Sequence, residues 1–172
     1  MDSRAAFEKA LGFAQRLDTK WESWTNRLGD TEDSPWTIEL FGKVLAMLGD
    51  TEVLYICGSP RVAGEGAHEI GADLVLVTQA AVIMATIERV LLDARVRHKS
   101  EVTARPRAEI TKVDLINATG LNTDVDIPWP AVLIAEITFS DGTILTIPNS
   151  KYPKSAAPDN LRELIPALIG GM

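Results

Sequence analysis

Apolar residues in the first thirty positions recur at intervals of three and four: Phe7, Leu11, Ala14, Leu17, Trp21, Trp24 and Leu28. That spacing lines one stripe of a helix with 3.6 residues per turn. Ser3 is suited to cap its start, and Gly29 stands where a helix ends. After a polar connector at 30–33, Ser34 is a good N-cap and Pro35 fits the first helical position, where no backbone donor is missed. Ile38, Phe41, Leu45 and Leu48 then share a face, and Gly49 closes the segment. The short connector predicts an N-terminal helical hairpin over residues 1–50.

From position 51 the pattern changes to a period of two. Residues 53–57 read as a strand ended by Gly58-Ser59-Pro60, and 61–68 as a glycine-containing loop or ragged strand. The β-branched and aliphatic runs 73–79 and 81–92 read as a hairpin, and 95–104 and 107–117 follow. Pro106 falls between the last two, because proline cannot donate to a ladder. After an irregular loop at 118–130, strands 131–139 and 143–148 flank Ser140-Asp141-Gly142. A two-residue turn there would set Leu145 and Ile147 against Thr138 and Glu136. A three-residue turn with Gly142 left-handed instead aligns Ala135, Ile137 and Phe139 with Ile147, Leu145 and Thr143, making one apolar face. A last helix follows Pro158, with Leu161, Leu164, Ile165, Leu168 and Ile169 on its apolar side and Pro166 expected to kink or shorten it. Consecutive strands joined by short turns predict antiparallel pairing and an α+β fold.

The chain has 172 residues, 46% of them hydrophobic, which suits one domain (51–172) with an accessory element (1–50) and a real core. Cys57 is the one cysteine, so no internal disulfide forms. Asp2, Arg4, Glu8 and Lys9 do not make a secretory leader, and no uncharged apolar run reaches the roughly 20 residues that span a bilayer. These features point to a cytoplasmic protein. The net charge of -7 argues against general attraction to nucleic acid or anionic membranes.

That charge is uneven. Arg95, Arg97, Lys99, Arg105 and Arg107 all occupy odd positions, and alternation along a strand puts Arg95 to Glu101 on one side. Segment 95–107 carries +4, leaving -11 on the rest of the chain. Such a strip is suited to bidentate contacts with phosphates, or it is a solvated sheet edge whose charges discourage edge-to-edge aggregation. The stripe of Phe7, Leu11, Trp21, Trp24 and Leu28 packs on its own domain or meets another chain.

Catalytic and metal chemistry find little footing. Cys57 sits in an apolar strand as a small hydrophobe, and His68 and His98 lack partners at metal-ligand spacing. Ser59 has no nucleophile-elbow context, and Gly64-Glu65-Gly66 is too short and acidic for a phosphate loop. Asp124 and Asp126 fall in a loop. No catalytic residue, metal or cofactor is expected.

The order of the segments between about 51 and 169 resembles the pleckstrin-homology (PH)-like fold, particularly small bacterial PH-like proteins. The resemblance rests on Leu74-Val75-Leu76-Val77-Thr78 before a hairpin, on Glu109-Ile110-Thr111-Lys112-Val113, and on the Asp141-Gly142 turn. Gln79 and Ala80 stand where the family often has a basic pair. The resemblance implies an antiparallel barrel or strongly bent sheet capped by the C-terminal helix, and a binding or scaffolding role. In many PH domains the loop between the first two strands holds phosphoinositide; here that loop offers Arg61 and His68, opposed by Glu65. The expected function is therefore a non-catalytic protein-interaction or scaffold module, with self-association open. The alternative is binding of an anionic ligand, a lipid headgroup or nucleic acid, through Arg95, Arg97, Lys99, Arg105 and Arg107.

Overall fold

The computed structural model describes residues 2–18, 23–29, 35–62, 69–92, 95–119, 132–148 and 158–169. Helices α1 (Ser3–Leu17), α2 (Trp24–Gly29) and α3 (Pro35–Leu48) precede strands β1 (Val53–Val62), β2 (Glu69–Thr78), β3 (Ala81–Leu92) and β4 (Arg95–Pro106). A 3-10 turn, Arg107–Glu109, leads to β5 (Ile110–Thr119), β6 (Val132–Phe139) and β7 (Ile144–Ile147), and α4 (Pro158–Ile169) follows. The chain is α+β, with every strand pair antiparallel.

The barrel expected from the sequence is not closed. The strands divide into a four-stranded sheet, β1-β2-β3-β4, and a three-stranded sheet, β5-β6-β7. The break falls at Pro106, which has no N–H to carry the ladder onward. Past it, the Arg107 N–H donates to the Ala80 carbonyl (2.8 Å), which finishes the first sheet. The Ser140 N–H donates to the Glu109 carbonyl (2.8 Å) where the second begins.

The predicted two-helix hairpin is instead three helices. The stripe runs through 17 and 24 at helical spacing, yet the backbone leaves the helix at Asp18 (ψ 132°). The Asp18 carboxylate accepts from the Thr25 N–H (3.0 Å) and from the Thr25 hydroxyl, closing the break from within. Asp2, not Ser3, caps α1, accepting from the Ala5 N–H at 2.8 Å. The predicted cap at Ser34 lies outside the described residues. Strand β1 also runs past Gly58-Ser59-Pro60 to Val62. As the outer strand of its sheet, paired on one side with β2, β1 is where a proline is tolerated.

Two cores share the first sheet as a common wall. One packs Ala14, Leu17, Trp24, Leu28, Trp36 and Phe41 from the helices against Ile56, Leu74, Leu76, Ile83, Ala85 and Ile87. The other packs Tyr55, Cys57, Val75, Val77 and Val82, from the opposite face of that sheet, against Ile137, Phe139 and Ile147 and against Leu161, Leu164, Ile165 and Leu168 of α4. Burial on both faces explains why 74–77 is apolar without alternation. Trp24 meets Trp36 and Phe41 edge-on, each with centroids 6.2 Å apart. The Arg16 guanidinium donates to the Val53 (3.1 Å) and Leu54 (3.3 Å) carbonyls, tying α1 to β1, and burial lowers its pKa. Helix α4 runs through Pro166 to Ile169, and Ile169, expected on the apolar side, is exposed.

Candidate functional site

Over residues 100–105 the two faces of β4 meet different neighbours. Val102 packs on the helical core and Ser100 meets α3. Odd-numbered Thr103 and Arg105 pair in register with Met84 and Val82, both of which pack in the second core.

At Ser100, the hydroxyl donates to Glu39 and accepts from Lys43, whose ammonium lies 3.0 Å from the same Glu39 carboxylate. The hydrogen bond from Ser100, followed by Lys43, holds the Glu39 pKa below its ordinary value, with burial opposing. These three residues fasten α3 to β4.

On the other parity, Arg105 donates from Nη2 to Asp141 (2.8 Å) and Thr143 Oγ1 (3.2 Å). Asp141 also accepts from the Thr143 N–H at 2.9 Å. The hydrogen bond from Arg105, then those from Thr143, hold the Asp141 carboxyl well below the usual range. Arg107 donates to the Gln79 carbonyl (3.3 Å) and to the Ala167 carbonyl in the last turn of α4, where a cation also suits the helix dipole. Two of the five predicted ligand-binding cations therefore hold the protein's own elements together. Lys99 is exposed and faces Glu88 across the ladder. The backbones of Arg95 and Arg97 lie in β4 opposite Leu92 and Val90, and their side chains lie outside the description.

The predicted aromatic interface divides as well. Trp24 and Leu28 are consumed by the chain's own core, and Leu11 is half-buried against it. Phe7, at the start of the stripe, is 49% exposed. Trp21 lies outside the described residues, as do His68, Asp124, Asp126 and Gly64-Glu65-Gly66.

Sequence reasoning misplaced Ile38 as well as Ile169, and overlooked several residues. Ile38 was expected on the buried face with Phe41, Leu45 and Leu48 but is 43% exposed, because α3 turns Trp36, Thr37, Leu40 and Val44 inward instead. Met47, Leu115, Ile116 and Ile144 also stand in solvent. For α3 a signal was present: only Thr37, Glu39 and Lys43 are polar among its 14 residues, too few to wet one side of a surface helix.

Cys57 is buried, and its thiol lies beside the Tyr55 hydroxyl, whose ionisation is pushed up strongly, first by burial. Among the described residues, no group of three or more His, Cys, Asp or Glu could hold a metal ion, and no helix is long and apolar enough to cross a membrane. Comparison of the chain with protein-family models, curated proteins and solved structures finds no match.

Proposed function

We propose that the chain is a non-catalytic protein-interaction or scaffold module of PH-like type that self-associates. The four-plus-three antiparallel arrangement, with an amphipathic C-terminal helix against β1, β5 and β6, supports the PH-like part of this reading. One observation carries the functional part. The cations Arg16, Lys43, Arg105 and Arg107 are spent on joining elements of the same chain, while large apolar residues remain outside on α1, α3, β5 and β7. Exposed apolar groups gain by meeting a protein surface, whereas cations already holding backbone carbonyls and carboxylates gain little from a phosphate.

Light scattering on the purified protein across a concentration series, at low and high salt, tests this. The expected mass exceeds one chain and is insensitive to salt, since apolar burial is not screened. A monomer at every concentration would overturn self-association. Retention on anionic vesicles or nucleic acid at low salt, lost with Arg95→Glu plus Arg97→Glu, would replace the reading by the anionic-ligand alternative.

A further inference from the structure

The outer strands of the two sheets differ in how they are guarded. A sheet edge offers unpaired N–H and C=O groups, and folds blunt it with bulges, prolines or shortness. Strand β1 shifts register at Val53/Tyr55 and at Arg61/Val62, and it carries Pro60. Strand β5 shifts at Ile110/Lys112 and at Leu115/Asn117. Strand β7 is four residues long. Strand β4 instead runs in one unbroken register with β3 from Arg95 to Pro106, its proline coming only at the end. Among the described residues no strand pairs with its other side.

The register fixes where its backbone groups point. The Arg107 N–H donates to the Ala80 carbonyl, in step with the β3–β4 ladder. Antiparallel pairs alternate, so the odd residues of β4 exchange hydrogen bonds with β3 and the even ones turn away. The Lys43 ammonium, 3.5 Å from the Ser100 carbonyl, reaches one of these outward groups. Val96, His98, Ser100, Val102 and Ala104 thus present a row of backbone donors and acceptors, and none of residues 98–106 is buried.

Charge decides what this edge accepts. Residues 95–107 carry +4. A second copy of β4 would set that charge against its equal, whereas an acidic strand meets opposite charge. Arg105 and Arg107 are held within the chain. The attraction therefore falls on the first half of the strand, where Lys99 is exposed and Arg95 and Arg97 precede it.

We infer that β4 takes up an extended acidic peptide as a fifth strand of the first sheet. This rests on the protein-interaction part of the proposed function and does not require self-association. Main-chain hydrogen bonds to the outward row hold the peptide, and carboxylates near Lys99 select it.

Fluorescence anisotropy with the full chain tests this. The probe is a labelled peptide, long enough to lie along 96–104, that alternates valine with glutamate. It should bind at low salt, and the same peptide with lysine for glutamate should not. Lys99→Glu should weaken binding roughly tenfold. Ala104→Pro removes an outward N–H and no ladder bond, so it should weaken binding with circular dichroism unchanged. If that variant fails to fold, peptide methylation decides. Of two peptides N-methylated on alternate amides, one set per edge, one should bind and the other should not. Equal behaviour of the two would overturn strand addition. Tighter retention of single-stranded DNA than of the peptide would replace the peptide by nucleic acid. No peptide binding at low salt by a protein that self-associates would sink the β4 edge and leave the scaffold reading standing. No binding by a protein that stays monomeric removes both.

Discussion

The guanidinium of Arg105 lies 4.9 Å from the centroid of the Phe139 ring. Arg105 belongs to the four-stranded sheet, and Phe139 belongs to the three-stranded one. The same guanidinium reaches Asp141 and Thr143 in the turn that follows Phe139, so one side chain rivets the sheets by stacking and by ion pairing. Lysine keeps the charge but not the planar fork. Urea denaturation should therefore rank wild type above Arg105→Lys and Arg105→Ala last. Because Asp141 has a depressed pKa in the fold, its share of stability is complete above the ordinary aspartate range (about 3.9), declines below it, and is lost as pH falls through the depressed folded value. The wild-type advantage over Arg105→Ala should shrink in acid, and a gap unchanged between pH 7 and pH 3 would refute the ion pair.

Two glycines should respond differently to a methyl group. At Gly58 a Cβ would come within 2.4 Å of Leu74 Cδ2, 3.0 Å of the Asp73 carbonyl oxygen and 3.2 Å of the Trp24 ring. The Leu74 tip can swing away, so Gly58→Ala should cost about 1–3 kcal/mol, as overpacking does. At Gly71, φ is +152° and the Cβ would fall 1.9 Å from the Ile87 carbonyl oxygen, which is backbone. Gly71→Ala should cost more. Denaturation midpoints compare the two directly, and the reverse ranking would mean that β2 and β3 do not approach so closely.

Tyr55 offers a test of a buried polar group. Its hydroxyl finds no oxygen or nitrogen partner among the described residues. Removing an unsatisfied hydroxyl relieves its desolvation, so Tyr55→Phe should leave stability within about 1 kcal/mol of wild type or raise it. Tyr55→Ala, which empties the same site, should cost about 3–5 kcal/mol. A loss above 2 kcal/mol for Tyr55→Phe, on the scale of a stranded partner, would mean that the hydroxyl is held, by the neighbouring Cys57 thiol or by a group beyond these residues.

Arg107 links the turn after β2 to the end of α4. With Arg107→Ala, amide exchange in the last turn of α4 should accelerate while the amides of β2 and β3 keep their protection, since local opening is governed by local contacts. Uniform acceleration across the molecule would indicate a global role instead.

Local rules carried the sequence reading furthest. The three-residue turn at 140–142 was legible because one register alone gave an apolar face, and the structure pairs Ala135 with Ile147 and Ile137 with Leu145, with Gly142 at φ +82°. The inward face of α4, from Leu161 to Leu168, was legible from its period. The break at Asp18 was not, because the apolar period of the stripe continues past it and the capping carboxylate acts across seven residues. The candidate cations were found by parity, but their engagement was hidden. The carboxylate that holds Arg105 is 36 positions away, and the carbonyl that holds Arg107 is 60 away.

The wall shared by the two cores has a consequence for how the chain could be divided. Stripped of the first fifty residues, the remainder would present Ile56, Leu74, Leu76, Ile83 and Ile87 as a greasy slab. Such a fragment would clump with its own kind instead of behaving as a smaller edition of the whole. The leading helices are thus a lid the sheet cannot do without.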